Sequence, residues 1–295
     1  MNQRGGVRAH AVSHMGADKL TPDQFYGVIT DVLREAGVES NPQQKLPLVM
    51  CGMVGSRHGW VEAPYLPIPL LCKKIPEQSV HVKTELWDVY IMPGLSVQDA
   101  TTPDVMRGEE TQLLGLYVQN SDFSGVFCMP GTHSKWGVIE AGMIKAFQTA
   151  MTGELFALLS RQSVIRHVIG DDFAFEPEHP AFKQAVLEGY HHPERLLFEL
   201  FPVRAGGLLF SCTGHMAAMR LSGLLIGAEL SAAVRKYPLT MEIALIATGK
   251  LARLYAQSFK YIQREFMFFD ADQLVQDGLK FCATMIFKDK DELSA

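Results

Sequence analysis

The chain has 295 residues, 47% hydrophobic and 20% charged, with a formal net charge of −5; this is ordinary globular composition for one large or two modest domains, without the basic footprint of a nucleic-acid or anionic-membrane binder. The longest apolar stretch, Leu221 to Val234, is broken by Ser222, Gly223 and Glu229 and falls short of a bilayer span, and residues 1–14 show no apolar core ahead of a small-residue cleavage site. Cys51, Cys72, Cys128, Cys212 and Cys282 are odd in number and unpaired in sequence, which argues against a disulfide framework or a zinc site and suits a cytoplasmic protein.

In chain order, the first predicted helix runs from Pro22 to Ala36. Thr21 caps it, Pro22 takes the first turn and Gln24 completes a capping box. Phe25, Val28, Ile29, Val32 and Leu33 then recur at helical spacing before Gly37. A buried strand at Leu46 to Cys51 enters the glycine-containing loop Gly52 to Arg57, and another at Trp87 to Met92 ends at Pro93-Gly94. Arg107-Gly-Glu-Glu-Thr-Gln112 opens a helix with two carboxylates in its first turn. Strand Val126 to Met129 breaks at Pro130 to Lys135; a strand at Trp136 to Ile139 follows, turns at Glu140-Ala-Gly142 and leads into Met143 to Thr149. The second half predicts helices from Thr152, over Pro180 to Tyr190, Glu194 to Phe201, Met216 to Lys236, Lys250 to Phe259 and Asp272 to Phe287. It also predicts strands at Glu242 to Ala247 and Arg264 to Phe268, and a frayed charged tail, Lys288 to Ala295. Strands alternating with helices predict an α/β protein, and the hairpin around Gly131 makes the sheet mixed.

Five stretches can carry chemistry. In Gly131-Thr-His-Ser-Lys135 the glycine, the hydroxyls of Thr132 and Ser134 and the Lys135 ammonium suit a phosphate cradle, or else form a plain hairpin rim. Glu109 and Glu110 suit a general base and a magnesium-water ligand, or cap the helix, and Arg107 beside them can grip a carboxylate or phosphate. Gly52 to Trp60 can wrap a small polar ligand with Arg57 pairing an acid and Trp60 stacking on a sugar, or Trp60 is core. Thr152-Gly153-Glu154 is either an anion site at a helix start or a cap. Thr248-Gly249 lies at a strand-to-helix turn, where glycine admits a nucleotide.

Together and in this order, Gly52 to Tyr65, Met106 to Gln112, Pro130 to Trp136, Met151 to Leu159 and Leu221 to Glu229 resemble the 2-dehydro-3-deoxygalactonokinase family. The resemblance implies two ribonuclease-H-like α/β domains of the actin–hexokinase type, with mixed sheets and an interdomain cleft. It implies a small-molecule sugar acid and ATP as partners, Mg2+ on the phosphates, and phosphorylation of a C6 hydroxyl. It matches the acidic pair Glu109-Glu110 to the catalytic base, with Glu110 favoured because Thr111 follows it, and Gly131, Thr132, His133, Ser134, Lys135, Thr248 and Gly249 to nucleotide contacts. Arg57, Trp60, Arg107, Thr152, Gly153 and Glu154 are left for the sugar acid. Domains are expected at 1–112 and 113–295, with a possible homodimer. Relative to the family pattern, an acidic phosphate loop and roughly two strands are missing before residue 50, and Gly5 to His10 resembles the family's second strand. The expectation is a truncated piece, poorly folding or needing a partner's strand, or else a catalytically silent binder. A phosphatase or polyphosphatase on the same fold is the other alternative, distinguished by phosphate release without an acceptor.

Overall fold

The computed structural model describes residues 7–39, 41–43, 45–170, 173–237 and 240–292, with the backbone alone for Asp18 and 288–292. In chain order the elements are α1 Phe25–Glu35, β1 Leu46–Met50, β2 Tyr65–Pro67, β3 Leu70–Leu71, β4 Val80–Lys83, β5 Trp87–Ile91, β6 Gly94–Val97, β7 Asp104–Met106 and α2 Glu109–Gln119. Then come β8 Ser124–Met129, β9 Ser134–Glu140, β10 Met143–Ala150, α3 Thr152–Arg161, α4 Arg166–Ile169, α5 Pro180–His191, α6 Leu196–Leu209, α7 Gly214–Lys236, β11 Glu242–Ala247, α8 Gly249–Tyr261, β12 Met267–Asp270 and α9 Ala271–Glu292. The chain forms two compact units: Met1–Phe123, Ala141–Lys145 and Gln273–Ala295 make the first, Ser124–Glu140 and Ala146–Asp272 the second. The last helix thus returns to the first unit, and residue 112 lies inside α2 rather than at a boundary.

The first unit holds a three-stranded sheet of order β1-β5-β4, with β1 parallel and β4 antiparallel to β5. Alternate residues of β5, Trp87, Val89 and Ile91, join Phe25, Val54 and Ala63 in its core, and the apolar stripe of α1 covers them. A second small sheet, β2-β6-β7, ends at Met106 and so delivers the chain to the start of α2. There α2 and α9 meet backbone to backbone: a Cβ at Gly115 would lie 2.0 Å from the Leu274 carbonyl oxygen, and one at Gly278 would lie 2.1 Å from that of Thr111.

The second unit is built on strands in the order β12-β11-β8-β9-β10, with β8 antiparallel to β9 and parallel to β11, which is itself parallel to β12. This is the mixed order of a ribonuclease-H-like sheet. β8 and β11 read as nearly continuous apolar runs because both of their faces are covered. α7 packs along α5 at van der Waals range, where Gly223 and Gly227 leave no room for a Cβ.

Several expectations are corrected. α1 begins at Phe25, because the Thr21 hydroxyl donates to Asp23 rather than capping, although the Thr21 N–H does donate to Gln24 Oε1 at 3.0 Å. Met151, not Thr152, is the N-cap of α3. α6 continues through Pro202 to Leu209, and β12 starts three residues late, after a turn in which Gln263 takes a φ of +54°. α9 runs on to Glu292 instead of fraying at residue 288, and residues 293–295 lie outside the described set. Residues 7–10 form no strand; Gly5 and Gly6 also lie outside the described set. α7 starts two residues earlier than expected; its 23 residues are enough by length and composition to cross a membrane, but 78% of its most apolar window is buried in the protein.

Candidate active site

In the first unit the chain turns sharply at Gly108, whose φ of +108° lies in the region that L side chains rarely adopt. The two following carboxylates curl back over the turn. Glu109 Oε2 accepts the Arg107 N–H at 3.0 Å and Glu110 Oε2 accepts the Gly108 N–H at 2.6 Å, so both serve amides at the helix start. Their surroundings differ. Glu110, favoured from sequence as the base, has no exposed surface, whereas Glu109 is partly exposed. Burial, then the Glu109 charge, push the Glu110 carboxyl up to about 8, against the opposing pull of hydrogen bonds from Gly108 and Thr111. Burial and the Glu110 charge push the nearby Cys51 thiol up to about 11, which leaves it inert at neutral pH.

The raised Glu110 carboxyl sets a pH dependence of stability. Between the unfolded value of 4.5 and the folded value of about 8 the folded state binds the extra proton, so stability contributed at this site falls as pH rises through that window. Glu110→Gln keeps the shape without the charge. In urea unfolding at pH 9 it is expected to exceed the wild type by a few kcal/mol, the gap closing toward pH 4.5; a constant gap across this range refutes the assignment.

Arg107 is pinned beside the acids. Its Nη2 donates to the Ala63 carbonyl at 2.8 Å, its Nε to Tyr65 Oη at 3.3 Å, and its guanidinium lies 4.2 Å from the Tyr65 ring centroid. Nη1 is buried and has no partner among the described residues. On the glycine loop Arg57 is exposed. Trp60 instead stacks on Phe25, with centroids 6.3 Å apart and planes within 1°, and packs against the core. One face of the ring expected to meet a sugar is therefore occupied.

In the second unit the turn between β8 and β9 presents Thr132 and His133 outward, but Ser134 and Lys135 point in and are 0% and 5% exposed. Lys135 Nζ donates to Thr149 Oγ1 at 2.8 Å. His133 Nε2 and Glu154 Oε2 lie 2.6 Å apart. The start of α3 is locked onto this turn: the Glu154 N–H donates to the Thr132 carbonyl at 2.9 Å, and a Cβ on Gly153 would lie 2.4 Å from the Gly131 carbonyl oxygen.

Beneath both segments lies Glu229, which sequence reasoning did not place in the site. Its Oε1 accepts Trp136 Nε1–H at 2.7 Å; its Oε2 accepts Tyr255 O–H at 2.7 Å and the Thr152 hydroxyl. Tyr255 Oη in turn lies 3.2 Å from Ser134 Oγ, which accepts the Gly131 N–H at 3.4 Å. A continuous hydrogen-bonded chain thus joins the β8–β9 turn and the α3 start to one buried carboxylate. Burial raises the Glu229 carboxyl, and these donors oppose the rise. The available signal was that Glu229 is the sole charge between Leu221 and Val234, because a lone charge in a buried apolar run requires partners.

The two segments border a cavity of about 240 Å³. Gly131, Thr132, Thr152 and Gly153 line it, along with Phe156, Phe173 and Phe175, whose rings pack at 5.3–6.0 Å. Lys250, also in the lining, sits 4.8 Å from the Phe175 ring centroid. Polar backbone turns and aromatic walls in one hollow are the make-up of a small-molecule pocket. Gly249, just before Lys250, has a φ of +58° and open space where a Cβ would stand; Thr248 Oγ1 donates to Asp272 at 3.3 Å. Thus Thr152 and Gly153, expected near the sugar acid, share a cavity with Gly131 and Thr132, while Ser134 and Lys135 serve as supports.

The chain is similar to known proteins along most of its length. A protein assigned as a 2-dehydro-3-deoxygalactonokinase in Rhizobium meliloti strain 1021 is 33% identical over 287 residues, covering 97% of this chain and 92% of the relative. The 2-dehydro-3-deoxygalactonokinase of Escherichia coli strain K12 is 38% identical over 242 residues, covering 82% of this chain and 80% of the relative. The crystal structure of a protein assigned the same activity in Sinorhizobium meliloti superposes with a TM-score of 0.91 at 34% identity, covering 97% of this chain and 94% of that one. The family model for 2-keto-3-deoxy-galactonokinase matches residues 1–282, and the chain belongs to that family.

Proposed function

We propose that the chain transfers the γ-phosphoryl group of ATP to the C6 hydroxyl of 2-dehydro-3-deoxygalactonate, in the cytoplasm. Besides family membership, the observation that carries this reading is the cavity in which the β8–β9 turn, the start of α3 and three phenylalanines come together. The aromatic walls suit the base, and the amides around Gly131 and Gly153, with the Thr132 hydroxyl, suit the phosphates. Arg107, half-buried beside the acids, is the proposed partner of the substrate carboxylate through the part of its guanidinium outside the enclosed Nη1. Arg57 remains a second candidate for that carboxylate.

Glu109 is the proposed base, because a base must touch the acceptor hydroxyl and Glu110 is enclosed. The O6 proton passes to the Glu109 carboxylate, O6 bonds to the γ-phosphorus, and the bond from that phosphorus to the β,γ-bridging oxygen breaks to release ADP. Glu110 holds the Gly108 amide and so shapes the turn that presents Glu109. Among the described residues no three His, Cys, Asp or Glu side chains cluster as a metal site. Magnesium, carried in with ATP, would neutralise phosphate charge, and Glu109 is the residue proposed to hold its waters.

A coupled assay with ATP and 2-dehydro-3-deoxygalactonate tests the reading. ADP formation that requires the sugar acid supports it; phosphate release independent of acceptor favours a hydrolase, and no turnover overturns it. Gly153→Ala would drive a Cβ into the Gly131 carbonyl. It is expected to raise the KM for ATP by about tenfold, equivalent to about 1.4 kcal/mol, with a smaller effect on the KM for the sugar acid. An unchanged KM for ATP removes Gly153 from the nucleotide site.

A further inference from the structure

α6 of the second unit is apolar almost all the way round. Its inner face, Leu196, Leu200 and Val203, packs with Ile165, Ile169 and Leu221. At 100° per residue, Leu197, Phe201 and Leu208 fall on one line of the opposite face, with Phe198 and Leu209 beside them and Phe210 just beyond the helix end. These six side chains are 64–81% exposed. A helix hydrophobic on every side is ordinarily covered, and scattered single exposures, which need no explanation, do not line up this way.

We propose that this face of α6 is the contact between two copies of the chain, the helix of one protomer packing against the same helix of its partner across a two-fold axis. The first reason is area. At roughly 200 Å² per large apolar side chain, six so exposed present on the order of 850 Å², about the share each partner contributes to a stable interface. The second reason is chemistry. The large side chains of the stripe are all apolar: Glu199 is turned aside to Arg195 and Arg220, at 2.8 and 3.1 Å, and the half-buried Arg204 is the one charged residue that falls along it. One half-buried cation among six large apolar side chains gives a charged partner little to pair with, whereas a second copy brings a surface of the same kind and extent, as two-fold contacts require. At 14 residues the helix is also too short to cross a bilayer.

Sedimentation velocity on the full chain at micromolar concentration should give a mass twice that of one chain. Phe198→Glu combined with Phe201→Glu should sediment as a monomer, raising the dimer dissociation constant by at least about 100-fold, because each change is felt twice across a two-fold. Leu197→Gln combined with Leu208→Gln is the milder second variant and should weaken the dimer with an unchanged circular dichroism spectrum. A wild-type monomer at tens of micromolar overturns the proposal. So does a dimer that persists in both variants, or a monomer that binds zwitterionic lipid vesicles instead of itself.

Discussion

Glu109→Gln is expected to lower kcat by about 10²–10⁴-fold, the range for loss of a general base, with the KM for ATP little changed. The glutamine keeps the amide-accepting oxygen that serves the Arg107 N–H, so the helix start should survive and only proton transfer should be lost. Glu110→Gln is expected to reduce kcat less and to move its pH profile. In the wild type an inflection should appear near pH 8, where the enclosed carboxyl ionises beside Glu109, and in the variant it should vanish. Steady-state kinetics from pH 6 to 9 on both variants decides between them. If Glu110→Gln shows the larger loss and Glu109→Gln is near wild type, the enclosed acid is the base, and the turn must open to admit substrate. If both variants are fully active, the acidic pair has no role in transfer.

The second large effect is expected at Glu229. Replacing it by leucine removes the acceptor of three donors, Trp136 Nε1–H, Tyr255 O–H and the Thr152 hydroxyl. Each buried donor left unpaired costs about 1–3 kcal/mol, so unfolding should reveal a loss of several kcal/mol. Glu229→Gln is the informative variant. Its amide can still accept from Trp136, but its NH2 then faces two hydroxyls that previously donated, and Thr152 and Tyr255 must turn around. The fold should survive while the β8–β9 turn and the start of α3 lose their common anchor. The expected result is a KM for ATP raised about tenfold or more, with the KM for the sugar acid little altered. A variant with lowered thermal stability but unchanged KM for ATP would reduce Glu229 to a structural support.

What could be read from the chain was set by local chemistry. The period of two in β5, the uninterrupted apolar runs of β8 and β11, and the carboxylates after Gly108 are written in neighbouring residues, so those elements lie within a residue or two of their expected places. The short strands β2, β3, β6 and β7 were not legible. At two to four residues they carry no period, and only their partners make them strands. The length of α6 beyond Phe201 was hidden by Pro202, which packing accommodates inside the helix.

The site divides along the same line. Residue type and order were enough to name Glu109, Glu110, Arg107, Gly131, Thr132, Thr152 and Gly153 as candidates, because each lies at or beside a glycine turn or a helix start whose chemistry is local. Folding assigned them their surroundings: Glu110 closed in and Glu109 left partly open, Ser134 and Lys135 turned inward, Trp60 laid on Phe25, and Glu229 brought from 77 positions away to accept from Thr152. Solvent access and hydrogen-bond partnership depend on distant segments of chain, and no stretch of neighbouring residues encodes them.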